Sequence, residues 1–373
     1  MKSLKLKPER KNAWEVGLDL RLFDSRLNFD FTYYKENTRD QIMSIEVPAI
    51  SGVNTQLINA GNIQNKGIEI AVNATPYKNK DWQWDVAMTY TKNKNTIISL
   101  HENVADYIAL SGYANDYDYH IGSVAKVGGD YGLLMSDILP AKNEKGETLL
   151  EWDDSWRGAY EARSGKVQEV GKMTPDFLGS LSTTLSWKNL SLHIATDKSS
   201  LKWRDPEHGG LSWTSQYGDS KGISYGDGVI PDGVFKNGTF ATLVDGTKMD
   251  VSGMSYKQLV AEGKLEPTHA GTYYVNRAAW GQNTIFDTWV HELNYIALRE
   301  ITLSYRFPKS VASKFGAQGL GLSFSARNLG YLYNSLRNHL NPESVRGNTA
   351  SEFRIRGYEP YTANYMMTIN VDF

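Results

Sequence analysis

The chain has 373 residues, a formal net charge of −2 and no cysteine. Basic and acidic residues are interspersed without a basic run, which excludes a nucleic-acid partner, and the missing cysteines exclude disulfide frameworks, thiolate metal sites and thiol nucleophiles. No apolar run is long enough for a membrane-spanning helix, but a transmembrane barrel stays open, because its alternating strands average to polar.

The 22 Tyr and 10 Trp suit interfacial girdles and surfaces that stack on sugars or peptides. The opening MKSLKLKPERKNAW lacks an apolar h-region and a small-residue cleavage site, so it is not expected to direct export. Alternation starts at Trp14, with Val16, Leu18, Leu20 and Leu22 on one face against Glu15, Gly17, Asp19 and Arg21. A tight turn at 23–26 leads into a return strand with Leu27, Phe29, Phe31 and Tyr33 opposed to Asn28, Asp30 and Thr32, which together make a long hairpin. Residues 44–65 lose the period and hold Pro48, Gly52 and Gly61, so a loop is expected. Ile68 to Thr75 and Trp82 to Thr91 then form a second hairpin around Pro76 to Lys80.

Residues 99–175 read as a long loop with room for one extra hairpin, the candidate strands being Tyr131 to Leu139 and Thr148 to Trp152. Clear alternation returns in Phe177 to Trp187 and, after a turn at Lys188-Asn189, in Leu190 to Ile194. Residues 197–290 are the longest irregular region, with one short helix expected at Ser255 to Gly263, capped by Ser255 and stopped by the glycine. The last strands are Leu293 to Phe307, Leu320 to Asn328 and Tyr361 to Phe373. In the first of these Arg299 shares the face of Ile301, Leu303 and Tyr305, which calls for either a bulge near 297–299 or a rim position. The final strand alternates back from Phe373 through Val371, Ile369, Met367, Tyr365, Ala363 and Tyr361. A strand of this length with aromatic ends fits a transmembrane stave.

Tight turns and long excursions alternate along the chain, the asymmetry of short periplasmic turns and long extracellular loops. The fold class expected is therefore all-β, an antiparallel transmembrane β-barrel portion with long extracellular loops. About nine strands are clear, and the first and last run the same way. Such a unit cannot close antiparallel, so the expectation is a barrel whose earlier strands are missing. Charged alternates such as Glu15, Asp19, Arg21, Asp30, Glu69 and Asp85 would be costly in lipid, so the apolar faces are expected to be the lipid faces.

The stretches LKPERKNAWEVGLDLRLFDSRLNFDFTYYKENTRDQI (6–42), SGVNTQLINAGNIQNKGIEIAVNATPYKNKDWQWDVAMTYTKNKN (51–95), TPDFLGSLSTTLSWKNLSL (174–192), NYIALREITLSYRFPKS (294–310), LSFSARNLGYL (322–332) and the closing Phe373 resemble the C-terminal half of SusC/RagA-type TonB-dependent outer-membrane transporters. That resemblance implies the C-terminal strands of a 22-stranded barrel, energised through TonB, importing oligosaccharides or peptides with a SusD-like surface lipoprotein. It also implies that the plug, the TonB box and the first half of the barrel have no counterpart here. The whole of 1–373 is then the C-terminal part of the receptor barrel, with 197–290 a long extracellular loop region within it. Tyr365, Met367, Ile369, Val371 and Phe373 form the barrel-terminal signal.

No catalytic, metal or cofactor site is expected. The seven His include no metal-binding spacing, and His193 is placed facing a lumen. The aromatic residues Trp203, Trp213, Tyr217 and Tyr225, set among Ser, Asp, Gly and Gln, are the substrate-binding candidates; packing of the loop, or contact with the lipoprotein, explains the same rings. An alternative reading is a soluble or surface glycan-binding β-protein whose apolar faces bury one another. A third is a hydrolase with acids such as Asp205 or Glu207.

Overall fold

The computed structural model describes residues 6–46, 55–101, 107–110, 121–204, 227–274, 285, 290–336, 341–343, 345–346, 354–355 and 362–373. Nine long strands dominate: β1 (Arg10–Leu22), β2 (Leu27–Glu46), β3 (Thr55–Lys78), β4 (Trp82–Leu100), β5 (Phe177–Trp187), β6 (Leu190–Arg204), β7 (Val290–Arg306), β8 (Gly319–Asn334) and β9 (Asn364–Asp372). They lie in one sheet in sequence order, each antiparallel to the next. Val345–Arg346 pairs with Arg354–Ile355, which in turn adds to the far end of β6. β1 and β9, the two ends of this path, both run toward the tight turns and cannot pair antiparallel with each other.

The tight turns have local causes. At 23–26 Phe23, Asp24 and Ser25 all take left-handed φ values of 56, 54 and 62°, and Arg26 N–H donates to the Phe23 carbonyl. Before β4 the Asn79 side chain accepts from the backbone N–H of Asp81 at 2.9 Å and of Trp82 at 2.7 Å, an Asx turn that fixes the hairpin register.

Register carries the alternation from strand to strand as unbroken rows. One apolar row runs Trp82, Trp187, Leu190, Tyr305, Leu322, Ile369, and the next runs Trp84, Leu185, Leu192, Leu303, Phe324, Met367. All twelve side chains are exposed. The alternative in which the sheet's apolar face is buried against a second sheet is not what the chain adopts. The polar face, displaced by one residue, holds the row Gln83, Ser186, Ser191, Ser304, Ser323, Thr368.

Three expectations about the excursions are corrected, the first being that residues 197–204, expected to open the irregular region, continue β6 and pair with β7. Residues 55–65, expected within a loop, continue β3, and residues 44–46 continue β2. With 24 residues, β3 is about 80 Å long at ~3.3 Å per residue, more than twice what a stave of ~10 residues requires. Its first half lost the period because amides pair across the sheet there: Gln64 with Asn37 at 3.1 Å, and Asn65 with Glu36 at 3.2 Å and Asn95 at 2.8 Å. Gly67 is required in this motif because the Tyr34 ring lies over it, with the hydroxyl 2.4 Å from where a Cβ would stand.

Residues 99–175, expected as a loop, are largely folded. A four-stranded sheet (Gln168–Lys172, Tyr131–Ser136, Ile121–Lys126, Tyr107–Ala109) and a three-stranded sheet occupy them. The third strand of the latter, Val234–Phe235, comes from the second long excursion and pairs parallel with Leu149 and Leu150. The two excursions thus form a joint cap with its own core: Leu150, Ala159, Phe235, Ala241, Val251, Tyr256, Leu259 and Leu265. The expected helix is present as Tyr256–Ala261, with Ser255 at the N-cap position, though its hydroxyl makes no capping bond. Thr268, fully buried, joins the halves: its hydroxyl lies 2.9 Å from the Ala159 N–H and 3.0 Å from the Tyr256 hydroxyl. The four-stranded sheet meets the projecting ends of β3 and β4 through Ile63, Ile97, Ile108 and Ala125.

Candidate functional site

The site is the polar face of the sheet together with the cap at its excursion end. Short hydroxyl side chains line the wall from β5 to β9 and bond one another across strands: Ser323 donates to Ser304 at 2.9 Å, and the Thr302 hydroxyl lies 2.7 Å from Ser325 and 2.6 Å from Glu300. His193 lies on this face, its Nδ1 2.9 Å from the Thr184 hydroxyl, as expected from alternation. Bonded hydroxyl pairs make the wall wettable, and the ion pairs Arg327–Glu300 and Arg306–Asp372 lie on the same face. Near the tight turns Asn189, Ser191, Ser304, Arg306, Ser323 and Asn370 line a hollow of about 380 Å³.

The apolar face is bounded by rings. Trp82 and Trp187 stack at 5.9 Å toward the tight turns, and Tyr90 and Phe177 stack at 5.6 Å at the other end of the same strands. Phe177 and Trp187 lie roughly ten steps apart, or ~33 Å along the strand, which a tilt of ~40° reduces to about 25 Å. That is the height of a hydrocarbon band between two aromatic girdles.

Near the excursion end the wall departs from regular pairing at Arg299. On one side Ala195 faces Glu300 while Thr196 faces Leu298, and on the other the register shifts between Leu298 and Glu300. The bulge therefore answers the phase conflict expected at this arginine, and no rim position is needed. It sends the guanidinium to the polar face, where Nε donates to Asp197 at 2.8 Å and Nη1 to Glu343 at 2.8 Å, with Nη2 reaching both carboxylates. Tyr331 adds a hydroxyl to Asn341 at 2.7 Å and to Glu343 at 3.2 Å, and its ring meets Tyr295 edge-on at 5.6 Å. Hydrogen bonds from Arg299 hold the Glu343 carboxyl below the usual range.

Of the four substrate candidates, Trp203 has its backbone in β6 opposite His291, while Trp213, Tyr217 and Tyr225 lie outside the described residues, as do Asp205 and Glu207. Tyr365, Met367, Ile369, Val371 and Phe373 are all exposed on the apolar face, the first four opposite Ala326, Phe324, Leu322 and Leu320; Tyr361 lies outside the described residues. The hydroxyl wall and the folded cap escaped the sequence reading. Serine at alternate positions of β5 was the available signal for the former, but small polar residues also mark any solvated strand face.

A sheet with exposed apolar rows between aromatic girdles and a hydroxyl wall behind defines an outer-membrane barrel protein. Residues 3–329 match the family model "TonB dependent receptor-like, beta-barrel", and the chain belongs to that family. It is similar to TonB-dependent receptor P3 of Formosa agariphila, at 25% identity over 335 residues, covering 87% of this chain and 30% of that protein. It is also similar to the TonB-dependent receptor SusC of Bacteroides thetaiotaomicron, at 33% identity over 96 residues, covering 26% of this chain and 10% of that protein. The fold matches the RagAB peptide transporter with a TM-score of 0.65 at 20% identity, over 98% of this chain and 35% of that one. The chain thus spans about a third of the length of the P3 receptor and of the matched RagAB chain. Its localisation is the outer membrane.

Proposed function

We propose that this chain is the C-terminal barrel portion of an importer that takes up oligosaccharides or peptides across the outer membrane, together with a SusD-like surface lipoprotein. Energy would come from the TonB complex through the rest of the receptor. The observation that carries this reading is the pairing of apolar rows on one face with hydroxyl rows on the other, beneath a folded cap. The apolar rows contact lipid, the hydroxyl wall lines the passage, and the excursion end is extracellular, placing the cap where substrate and lipoprotein arrive. Trp203, Trp213, Tyr217 and Tyr225 contact the substrate. The exposed alternates of β9, ending in Phe373, are the signal read by the barrel-assembly machinery.

The test uses the whole receptor in its own outer membrane. Removing the segment encoding this chain is expected to abolish uptake of one class of oligosaccharide or peptide, and the receptor is expected to co-purify with a surface lipoprotein only in detergent. Unchanged growth on every oligosaccharide and peptide supplied would overturn the importer reading. Solubility of the protein without detergent would favour the glycan-binding alternative.

A further inference from the structure

We infer that Arg299 is a tie that mechanically couples two excursions of the chain, so that a change at the root of one alters the exposure of the other. This goes beyond the import reading and does not depend on what is imported. Three observations meet at one guanidinium. Asp197 lies on β6, on the strand that leads directly into the second long excursion, and accepts from Nε and Nη2 at 2.8 Å each. Glu343 belongs to the third excursion, between β8 and β9, and takes a two-pronged bond from Nη1 and Nη2. The bulge at Arg299 is what aims the side chain at both.

The geometry makes the tie directional. A guanidinium offers its donors in one rigid plane, so the orientation fixed by one carboxylate sets the position of the other. Asp197 orients Arg299 through Nε, leaving the outer edge free for the fork onto Glu343. Beyond Glu343, its own N–H donates to the Asn341 side chain at 3.0 Å, and Tyr331 bonds both Asn341 and Glu343. The segment 341–343 is therefore held as a unit, with Pro342 buried beside its exposed neighbour Glu343. A single ion pair at a surface would be worth little; here one cation meets two anions through three hydrogen bonds and a further ion-pair contact, which converts a local contact into a linkage between segments about 150 residues apart.

The chain contains no cysteine, so the test uses the whole receptor in outer membranes with any cysteine outside residues 1–373 replaced by serine. Pro342→Cys places a lone thiol in the held segment, and its labelling by a membrane-impermeant maleimide reports opening. Glu343→Gln is expected to raise the labelling rate roughly tenfold, the consequence of losing one charge-assisted bond. The decisive variant is Asp197→Asn, which leaves every group on 341–343 intact. Several-fold faster labelling there establishes coupling through Arg299, and Arg299→Lys should give an intermediate rate because an ammonium cannot span both partners as a fork. Labelling that rises with Glu343→Gln but stays at the parental rate with Asp197→Asn would overturn the coupling and leave a local clasp. An unchanged rate in both variants would overturn the tie altogether. Heat-modifiable migration on gels confirms that each variant retains its barrel.

Discussion

The nine-stranded wall and the cap solve the problem of apolar surface in opposite ways. The wall turns its Trp, Leu and Met rows outward and leaves them exposed, so its stability depends on a lipid solvent. The cap gathers Leu150, Phe235, Tyr256, Leu259 and Leu265 into a core sealed from water. One chain thus contains a unit that needs the membrane and a unit that needs to be out of it. The boundary between them runs along β3 and β4, where amide pairs replace apolar alternation.

The sharpest way to break this contrast is to cut into the cap core. Tyr256 is fully buried, meets Phe235 edge-on at 5.7 Å and bonds the Glu266 carbonyl at 2.7 Å. Tyr256→Ala should cost about 3–5 kcal/mol, the range for losing a large buried aromatic. Because the first and second excursions share this core, protease sensitivity should rise in both together, while the barrel itself keeps its heat-modifiable migration. Cleavage confined to 227–274 would show that the cap is not one cooperative unit.

A second test discriminates the two faces of the wall. Leu303 is exposed on the apolar face and Ser304, the next residue, is on the hydroxyl face. Leu303 lies one alternation from the Trp82–Trp187–Tyr305 girdle row, so Leu303→Arg should destabilise by about 1–2 kcal/mol, less than the ~2–4 kcal/mol of a basic side chain at the lipid midplane. Ser304→Arg should cost far less, since it enters a solvated passage. Urea titration of the protein in lipid vesicles measures both, and equal costs would refute the assignment of faces.

These contrasts also explain how much of the molecule was legible in the sequence. Membrane staves must alternate, because lipid selects every second residue, so Trp82 to Tyr90 and Phe177 to Trp187 announced their strands and their faces. Beyond the membrane that selection stops. β3 could carry Asn59, Asn62, Gln64 and Asn65 through a continuous but bulged ladder, in which register shifts near Asn62 and Gln41 reset the phase, and still look like a loop. The cap strands Leu149–Asp153, Gly158–Glu161 and Phe240–Thr242 are each only three to five residues long, too short for a period to stand out, and Val234–Phe235 finds its partner some 85 residues away. Arg299 was legible as a conflict of phase but not as an ion-pair centre, since Glu343 lies 44 residues downstream in a segment without periodicity.

The smallest expected effect lies on the cap surface and comes from pH. Asp154 accepts from the Thr242 hydroxyl at 2.8 Å, from Lys248 at 3.0 Å and from the Trp152 indole at 2.9 Å. The Thr242 bond, then Lys248, lower its carboxyl from 3.8 to about 2. A carboxylate depressed in the folded state stabilises above its ordinary pKa, and that contribution disappears as pH falls from 3.8 to about 2. The group is exposed, so the amount should stay below about 1 kcal/mol. Other acids of the cap, Asp245, Asp250 and Glu262, are also held low by hydrogen bonds, so the parental acid response is a sum. The informative quantity is the difference between the parent and Asp154→Asn in the urea midpoint of cap unfolding. It should be constant from pH 7 to 5, shrink through pH 3 and vanish near pH 2; a difference independent of pH would mean that the three donors act on Asp154 by shape and not through its charge.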